Sequence, residues 1–199
     1  MNRPGRQEVE AAVRTLIAHA GDDPARPELL QTPERVADAF TEAFSGYRRD
    51  PVTALGTPLP AGEAAGQFVL LRDLPFLSHC EHHLAPFFGE ATVAFEAAER
   101  LVGIGHLADL VHVLARRLQL QERLTAEIAD ALDSVLAPHG VAVVLEATHS
   151  CLHLHDPQVT PGRLRTLCLR GSLRARPELL ASLLARPGTG GTSDRAAPA

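Results

Sequence analysis

Apolar residues in the first part of the chain recur at helical spacing. Val9, Val13, Leu16 and Ile17 predict an amphipathic helix over 7–19, and Gly21-Asp22-Asp23-Pro24 ends it. At Thr32-Pro33-Glu34-Arg35 the threonine can cap and the proline can take the first helical position, which predicts a second helix over 33–45, before Gly46. The segment 51–66, rich in Pro, Gly and Ala, reads as a connector. Beyond it, 67–71 and 90–95 read as strands on either side of a loop carrying Ser78-His79-Cys80-Glu81-His82-His83. Helices with apolar faces follow over 106–118 and 122–136, separated near Leu118-Gln119-Leu120-Gln121. Pro138-His139-Gly140 turns the chain into a β-rich run over 141–154, and Pro161-Gly162 turns it back into a strand over 164–169. A short helix over 177–185 and a disordered Gly/Thr/Ala/Pro tail from 187 complete the pattern.

The order helices, two strands, two helices, two strands, helix predicts an α+β fold, with an antiparallel sheet and helices packed on one face. A sheet that small has open edges, which invite partners.

Composition narrows the class. A chain of 199 residues that is 45% hydrophobic can bury one core. All 19 basic residues are arginine, so Schiff-base and lysine-nucleophile chemistry is excluded. A net charge of -5 without a basic block speaks against a nucleic-acid partner. Charge interrupts every apolar stretch before the roughly 18 residues of a membrane helix, so no membrane partner is expected. Three cysteines (Cys80, Cys151, Cys168) cannot all pair within one chain, and no secretory leader opens the sequence, so a cytoplasmic protein with reduced thiols is expected.

Cys80 and His83 stand three apart, a spacing that lets one short turn offer a thiolate and an imidazole to a tetrahedral ion. Cys151 and Cys168 are the other thiolate candidates, and no second short-spaced pair containing cysteine closes a four-ligand structural site. Taken alone, the pair also fits a buried cysteine beside surface histidines. The run around Cys151 adds weight to a site, because on a strand His149, Cys151, His153 and His155 would share one face. Cys168 reads as a small buried hydrophobe, Ser78 and His79 as caps of the loop, and Arg116 and Arg117 as a solvated helix face.

Residues 32–171 resemble the GTP cyclohydrolase I family. The resemblance rests on Thr32-Pro33-Glu34-Arg35-Val36-Ala37, Cys80-Glu81-His82-His83, Gln119-Leu120-Gln121-Glu122-Arg123-Leu124-Thr125, and Val141-Ala142-Val143-Val144 leading to His149-Ser150-Cys151. It implies the tunnelling fold, in which sheets join between subunits into a barrel, as a homo-oligomer that is usually a decamer. It divides the chain into N-terminal helices (1–48), a connector (49–66), a catalytic domain (67–186) and a tail (187–199). It implies that Cys80, His83 and Cys151 hold Zn2+, while His82 and His149 act on a guanine nucleotide substrate. On that template zinc-activated water attacks C8 of guanine, formate leaves, and the ribose carbons enter a dihydropterin. Gln121 and Glu122 would bind the base, since one carboxylate can accept both N1–H and the 2-amino group. Without the resemblance, Glu122 reads as a helix-start residue favoured by the macrodipole.

The chain departs from the family where the triphosphate is gripped. Gly105-His106 stands where Ser-Lys is usual, Asp109 where Arg is, Asp38 where a basic residue is frequent, and His155-Asp156 where Arg-Gly follows the distal cysteine. Of the customary clamp only Arg35 is matched, with His106 and His155 as imidazole replacements, and Arg163 or Arg165 as possible sources of charge. Three readings follow: a GTP cyclohydrolase I-like zinc hydrolase, a diverged enzyme for a less phosphorylated guanine nucleotide or nucleoside in secondary metabolism, and a zinc-binding oligomeric scaffold.

Overall fold

A computed structural model describes residues 3–155, 162–176 and 178, with the side chains of His153 and His155 outside the described set. The expected helix over 177–185 and the tail from 187 also fall outside it, apart from residue 178. Helices α1 (Arg6–His19) and α2 (Thr32–Ala43) pack against each other. Thr32 is the first residue of α2 rather than its cap, and Pro33 lies in the first turn, where a missing N–H costs nothing. The stretch read as a connector contains a one-turn helix α3 (Pro51–Ala54), capped by the Asp50 carboxylate, and a short strand β1 (Leu59–Pro60).

The main hairpin is longer than its sequence pattern. β2 (Phe68–Cys80) and β3 (Pro86–Glu96) pair along nearly their whole lengths. An irregularity between Leu71 and Leu74, with Asp73 at φ 54°, breaks the alternation that a simple strand would show. That is why residues 72–80 did not read as strand. β4 (Arg100–Leu101) pairs, among the described residues, with β1.

Helices α4 (Ile104–Ala115) and α5 (Gln121–Leu136) follow, separated by β5 (Leu118–Gln119). β6 (Gly140–His149) and β7 (Arg163–Gly171) complete a five-stranded sheet in the order β5-β2-β3-β6-β7. All neighbours run antiparallel except β5, which adds a two-residue parallel pairing to the end of β2. The sheet is therefore mixed at that edge, a pairing too short to leave a sequence signature.

One face of the sheet is covered. Leu124, Ile128, Leu132 and Leu136 recur at every fourth position of α5 and are at most 1% exposed. With Leu107, Leu110, Val111 and Leu114 of α4, they pack on Phe87, Val93 and Phe95 of β3 and Val141, Val143 and Leu145 of β6. Burying each such side chain contributes about 1.5–3 kcal/mol. Arg117 is not merely solvated: it donates to the carbonyls of Gly46 (3.1 Å) and Arg49 (3.0 Å), tying the loop after α2 to the end of α4.

The β3–β6 ladder allows no side chain at Gly89, where a Cβ would stand 1.9 Å from the Glu146 carbonyl oxygen and 2.6 Å from Ala147 Cα. Gly89→Ala should therefore destabilise the protein by about 1–3 kcal/mol in urea titration, because both neighbours are backbone and cannot move aside locally. A neutral substitution would mean that the two strands are not held this close.

Candidate metal centre and active site

Three strand ends meet at one end of the sheet. β2 finishes at Cys80, whose amide donates to the Ala85 carbonyl at 2.8 Å, while the Leu84 amide donates to the Cys80 carbonyl at 2.9 Å. This tight turn carries Glu81, His82 and His83 and returns the chain into β3 at Pro86. β6 finishes at His149, opposite Phe87. The backbone amide and hydroxyl of Ser150 then both donate to the Pro86 carbonyl, at 3.2 and 2.6 Å. Cys151 is thereby delivered beside the turn that bears Cys80 and His83.

The strand expected over 141–154 stops earlier than its pattern suggested. Residues Cys151–His155 form a short helix, α6, so His149, Cys151, His153 and His155 do not share a strand face. Pro86 is the physical reason: β3 begins there, and a proline has no N–H with which to extend the ladder. Cys151 reaches the cluster through a turn, not through alternation.

The donor atoms of Cys80, His83 and Cys151 lie within 4.8 Å of one another, with Cys80 Sγ 3.9 Å from His83 Nδ1. Two thiols and one imidazole form a soft donor set that suits zinc, and three protein ligands leave a fourth position open. Burial pushes the Cys151 thiol up and neighbouring Cys80 adds to the effect, so a cation between the two sulfurs would favour the thiolates. Cys80 is buried and His83 exposed, so the cluster opens toward solvent. Cys168 lies on β7, where Arg170 Nη1 approaches its sulfur at 2.8 Å.

His149 is fixed from two sides. Its ring stacks on Phe87 with centroids 4.5 Å apart and planes within 5°, and its Nε2 lies 2.8 Å from Gln121 Oε1. Burial holds this imidazole below the ordinary histidine range, and the Glu122 carboxylate acts in the opposite direction. Glu122 is exposed in the first turn of α5, within electrostatic reach of His149. Gln121, expected to bind the base, is 1% exposed, and its amide nitrogen donates to Leu145 O, Leu164 O and Thr166 Oγ1. Its side chain is thus committed within the chain. His82 is exposed, with its ring edge-on to that of His83.

Arg123 ties the ligand turn to α5. Its Nη2 donates to Glu81 Oε2 at 2.5 Å and to the Leu118 carbonyl at 3.0 Å, and its Nε donates to Gln119 Oε1 at 3.0 Å. The guanidinium holds the Glu81 carboxyl below its usual range. Ser78 and His79, read as loop caps, belong to β2. Ser78 Oγ and His79 Nδ1 are buried without a partner among the described residues, and the His79 ring packs on Phe44 at 5.0 Å.

The candidates for binding phosphate are held locally. Arg35 donates to Gln31 Oε1 at 2.6 Å, and His106 Nδ1 lies 3.1 Å from the Ala54 carbonyl. Asp109 receives both ends of the Arg49 guanidinium, which keeps its carboxyl below the usual range. Asp38 is paired in the same way with Arg6. Arg163 and Arg165 both meet Glu146, and Arg163 lies 3.6 Å from Glu90. The ladder register puts these two arginines on the face of the sheet opposite to His149. The side chain of His155 lies outside the described set. Sequence reasoning missed Arg49, for which it offers no signal, and the structural tasks of Phe87, Thr166 and Arg123. The task of Phe87 follows only once the register is known.

The family model of GTP cyclohydrolase I matches residues 9–186. The chain belongs to the GTP cyclohydrolase I family. It is 48% identical over 163 residues to a GTP cyclohydrolase 1 of Hyphomonas neptunium, covering 80% of this chain and 79% of the relative. A GTP cyclohydrolase 1 of Brucella canis is 49% identical over 154 residues, covering 77% and 72%. Among solved structures, the archaeosine synthase QueF-Like in its apo form matches 53% of this chain and 94% of its own, at 15% identity and a TM-score of 0.45, too distant to carry an argument. Membership of the GTP cyclohydrolase I family agrees with the α+β architecture described above. Among the described residues no helix is long and apolar enough to cross a membrane.

Cys80→Ser, His83→Ala and Cys151→Ser should each lower the zinc bound per chain, as read by metal analysis after dialysis, because each removes one donor from the candidate set of three. Cys168→Ala should retain it. Equal zinc in the Cys151→Ser variant and the unaltered protein would remove Cys151 from the donor set.

Proposed function

We propose that this protein hydrolytically opens the imidazole ring of GTP, releasing C8 as formate on the way to a dihydropterin. The observation that carries the reading is the convergence of the Cys80, His83 and Cys151 donor atoms with His149 and Glu122 at one end of the sheet. The close GTP cyclohydrolase 1 relatives support it.

Held by Cys80, His83 and Cys151, a zinc ion would supply hydroxide near neutral pH by lowering the pKa of water from about 15.7 towards about 7. His149 gives the proton that N7 needs as C8 is attacked. Burial makes its imidazolium scarcer but a stronger acid, and Glu122 restores part of its population. Glu122 accepts N1–H and the 2-amino group of guanine together, a donor pair that adenine lacks. Exposed His82 serves water handling or ribose opening beside His83.

The protein acts as a homo-oligomer, a decamer in this reading, in the cytoplasm. Leu77 and Phe88, paired across β2 and β3, are 52% and 54% exposed on the sheet face away from the helices, a surface suited to a neighbouring copy. Arg35 and His106, held locally here, would meet the substrate from such a neighbour, with His155 as a further contact. Residues 67–186 form the catalytic domain, with 1–48 as an N-terminal helical layer.

A second reading, for a less phosphorylated guanine nucleotide or nucleoside, draws on one feature: Asp109, Asp38, Glu146 and Glu90 each engage a guanidinium that would otherwise be available to phosphate. Formate release from GTP, GMP and guanosine by the zinc-loaded protein separates the two. GTP should be used best, and preference for guanosine would favour the second reading. Zinc binding without formate from any of them would leave the scaffold.

His149→Ala should keep the metal and lose turnover by about 100-fold or more. Simultaneous loss of zinc would make His149 a ligand instead. Glu122→Gln puts an amide donor against a donor of the base and should weaken guanine binding by about 1–3 kcal/mol, as measured by calorimetry. Unchanged binding would return Glu122 to a role in starting the helix.

A further inference from the structure

Gln121 and His149 belong to a closed chain of hydrogen bonds whose direction can be deduced from the chemistry of its members. Thr125 Oγ1 lies 2.7 Å from the Gln121 main-chain carbonyl, which only accepts, so the Thr125 hydroxyl hydrogen is spent there. The 2.6 Å contact between Thr125 Oγ1 and Thr166 Oγ1 must then be donated by Thr166. With its hydrogen used, Thr166 Oγ1 can only accept from the Gln121 side chain at 3.1 Å.

The other two neighbours of that end of the amide are the carbonyl oxygens of Leu145 at 3.1 Å and Leu164 at 3.0 Å, again acceptors only. Three acceptors therefore surround one end of a buried amide, and only its NH2 group can face them. Turning the amide over would set its oxygen against two carbonyl oxygens in a site from which water is excluded. The oxygen of Gln121 is what meets His149 Nε2 at 2.8 Å, and that oxygen cannot donate. Nε2 must carry a hydrogen.

We propose that Gln121 is a positioning residue that locks neutral His149 in the Nε2–H tautomer, so that proton exchange with the substrate runs through Nδ1. The inference rests on the reading of His149 as the proton donor, and it adds which nitrogen does the work and what enforces it. The Phe87 ring, parallel to the imidazole, fixes the plane in which Nδ1 is presented. A ring free to exchange tautomers would offer the substrate the wrong nitrogen for part of the time. One hydrogen bond donated by Nε2 to the oxygen of an amide held in a single orientation prevents this without adding a charge.

The test is nitrogen NMR of the zinc-loaded full-length protein labelled with 15N-histidine, with the His149 signals assigned by their loss in His149→Gln. At a pH where the ring is neutral, Nε2 should have the shift of a protonated nitrogen and Nδ1 that of an unprotonated one. The opposite pattern in the unaltered protein overturns the proposal, with no variant required. Gln121→Met, similar in length but without the acceptor, should give a mixed tautomer and lower kcat about 10- to 100-fold, with KM for GTP and bound zinc nearly unchanged. Retention of kcat in that variant also overturns it. If the Nε2–H tautomer is found but His149→Ala still releases formate, the functional role of His149 fails and the tautomer assignment stands. If the Nδ1–H tautomer is found while His149→Ala is inactive, the reverse holds.

Discussion

The site depends on the register of one ladder, the pairing that sets Phe87 of β3 against His149 of β6. Side chains alternate along a strand, so a slip by one residue would carry His149 to the opposite face of the sheet, away from Gln121 and among Glu146, Arg163 and Arg165. The register is pinned at both ends of its functional stretch. At one end Gly89 admits no Cβ against Glu146 and Ala147, and at the other Ser150 donates twice to the Pro86 carbonyl. Because β2 turns into β3 at the same end, the pins that orient His149 also deliver Cys151 to Cys80 and His83. The geometry of the candidate ligands and the placement of His149 are thus one constraint, not two.

The first turn of α5 braces this end of the sheet from the helix side. Gln121 reaches inward to His149, Glu122 stays exposed within electrostatic reach of the same ring, and Arg123 crosses to Glu81 in the ligand turn. Three consecutive residues on a helix point in directions about 100° apart, so neighbours in sequence serve different parts of one site. The leucines and isoleucine that repeat along the rest of α5 hold the helix rigidly to β6 and β7, and this rigidity keeps the three contacts in place.

Much of this was legible in the sequence. The apolar periodicity placed α1, α4 and α5 to within a few residues, and the spacing of Cys80 and His83 marked the turn that carries them. Period-two reasoning failed twice, and for one kind of cause. The irregularity after Leu71 hid most of β2, and the end of the ladder at Pro86 converted an imagined strand face into α6. Both are decided by the partner strand, which local sequence cannot express. The base-binding expectation for Gln121 ran into the same limit. A glutamine at the start of a helix looks available, and only the tertiary structure brings the carbonyls of Leu145 and Leu164 to its amide.

The distribution of charge has a consequence for substrate selection. With no lysine in the chain, every permanent cation is a guanidinium, whose fork suits bidentate pairing with carboxylates. Arg49 embraces Asp109, Arg6 embraces Asp38, and Arg163 and Arg165 converge on Glu146. A polyanion approaching these groups meets pairs instead of free cations, and to be gripped it must compete with a carboxylate already in place. The end of the sheet is built differently. In the proposed reading Glu122 would recognise a guanine ring by its donor pattern, and His149, the group proposed to act on that ring, is held by a neutral amide and an aromatic face. On that reading, selection for the base would rest on one directional carboxylate beside a histidine that this chain itself positions, whereas selection for phosphate number would depend on surface ion pairs that salt, pH and a neighbouring copy can reset.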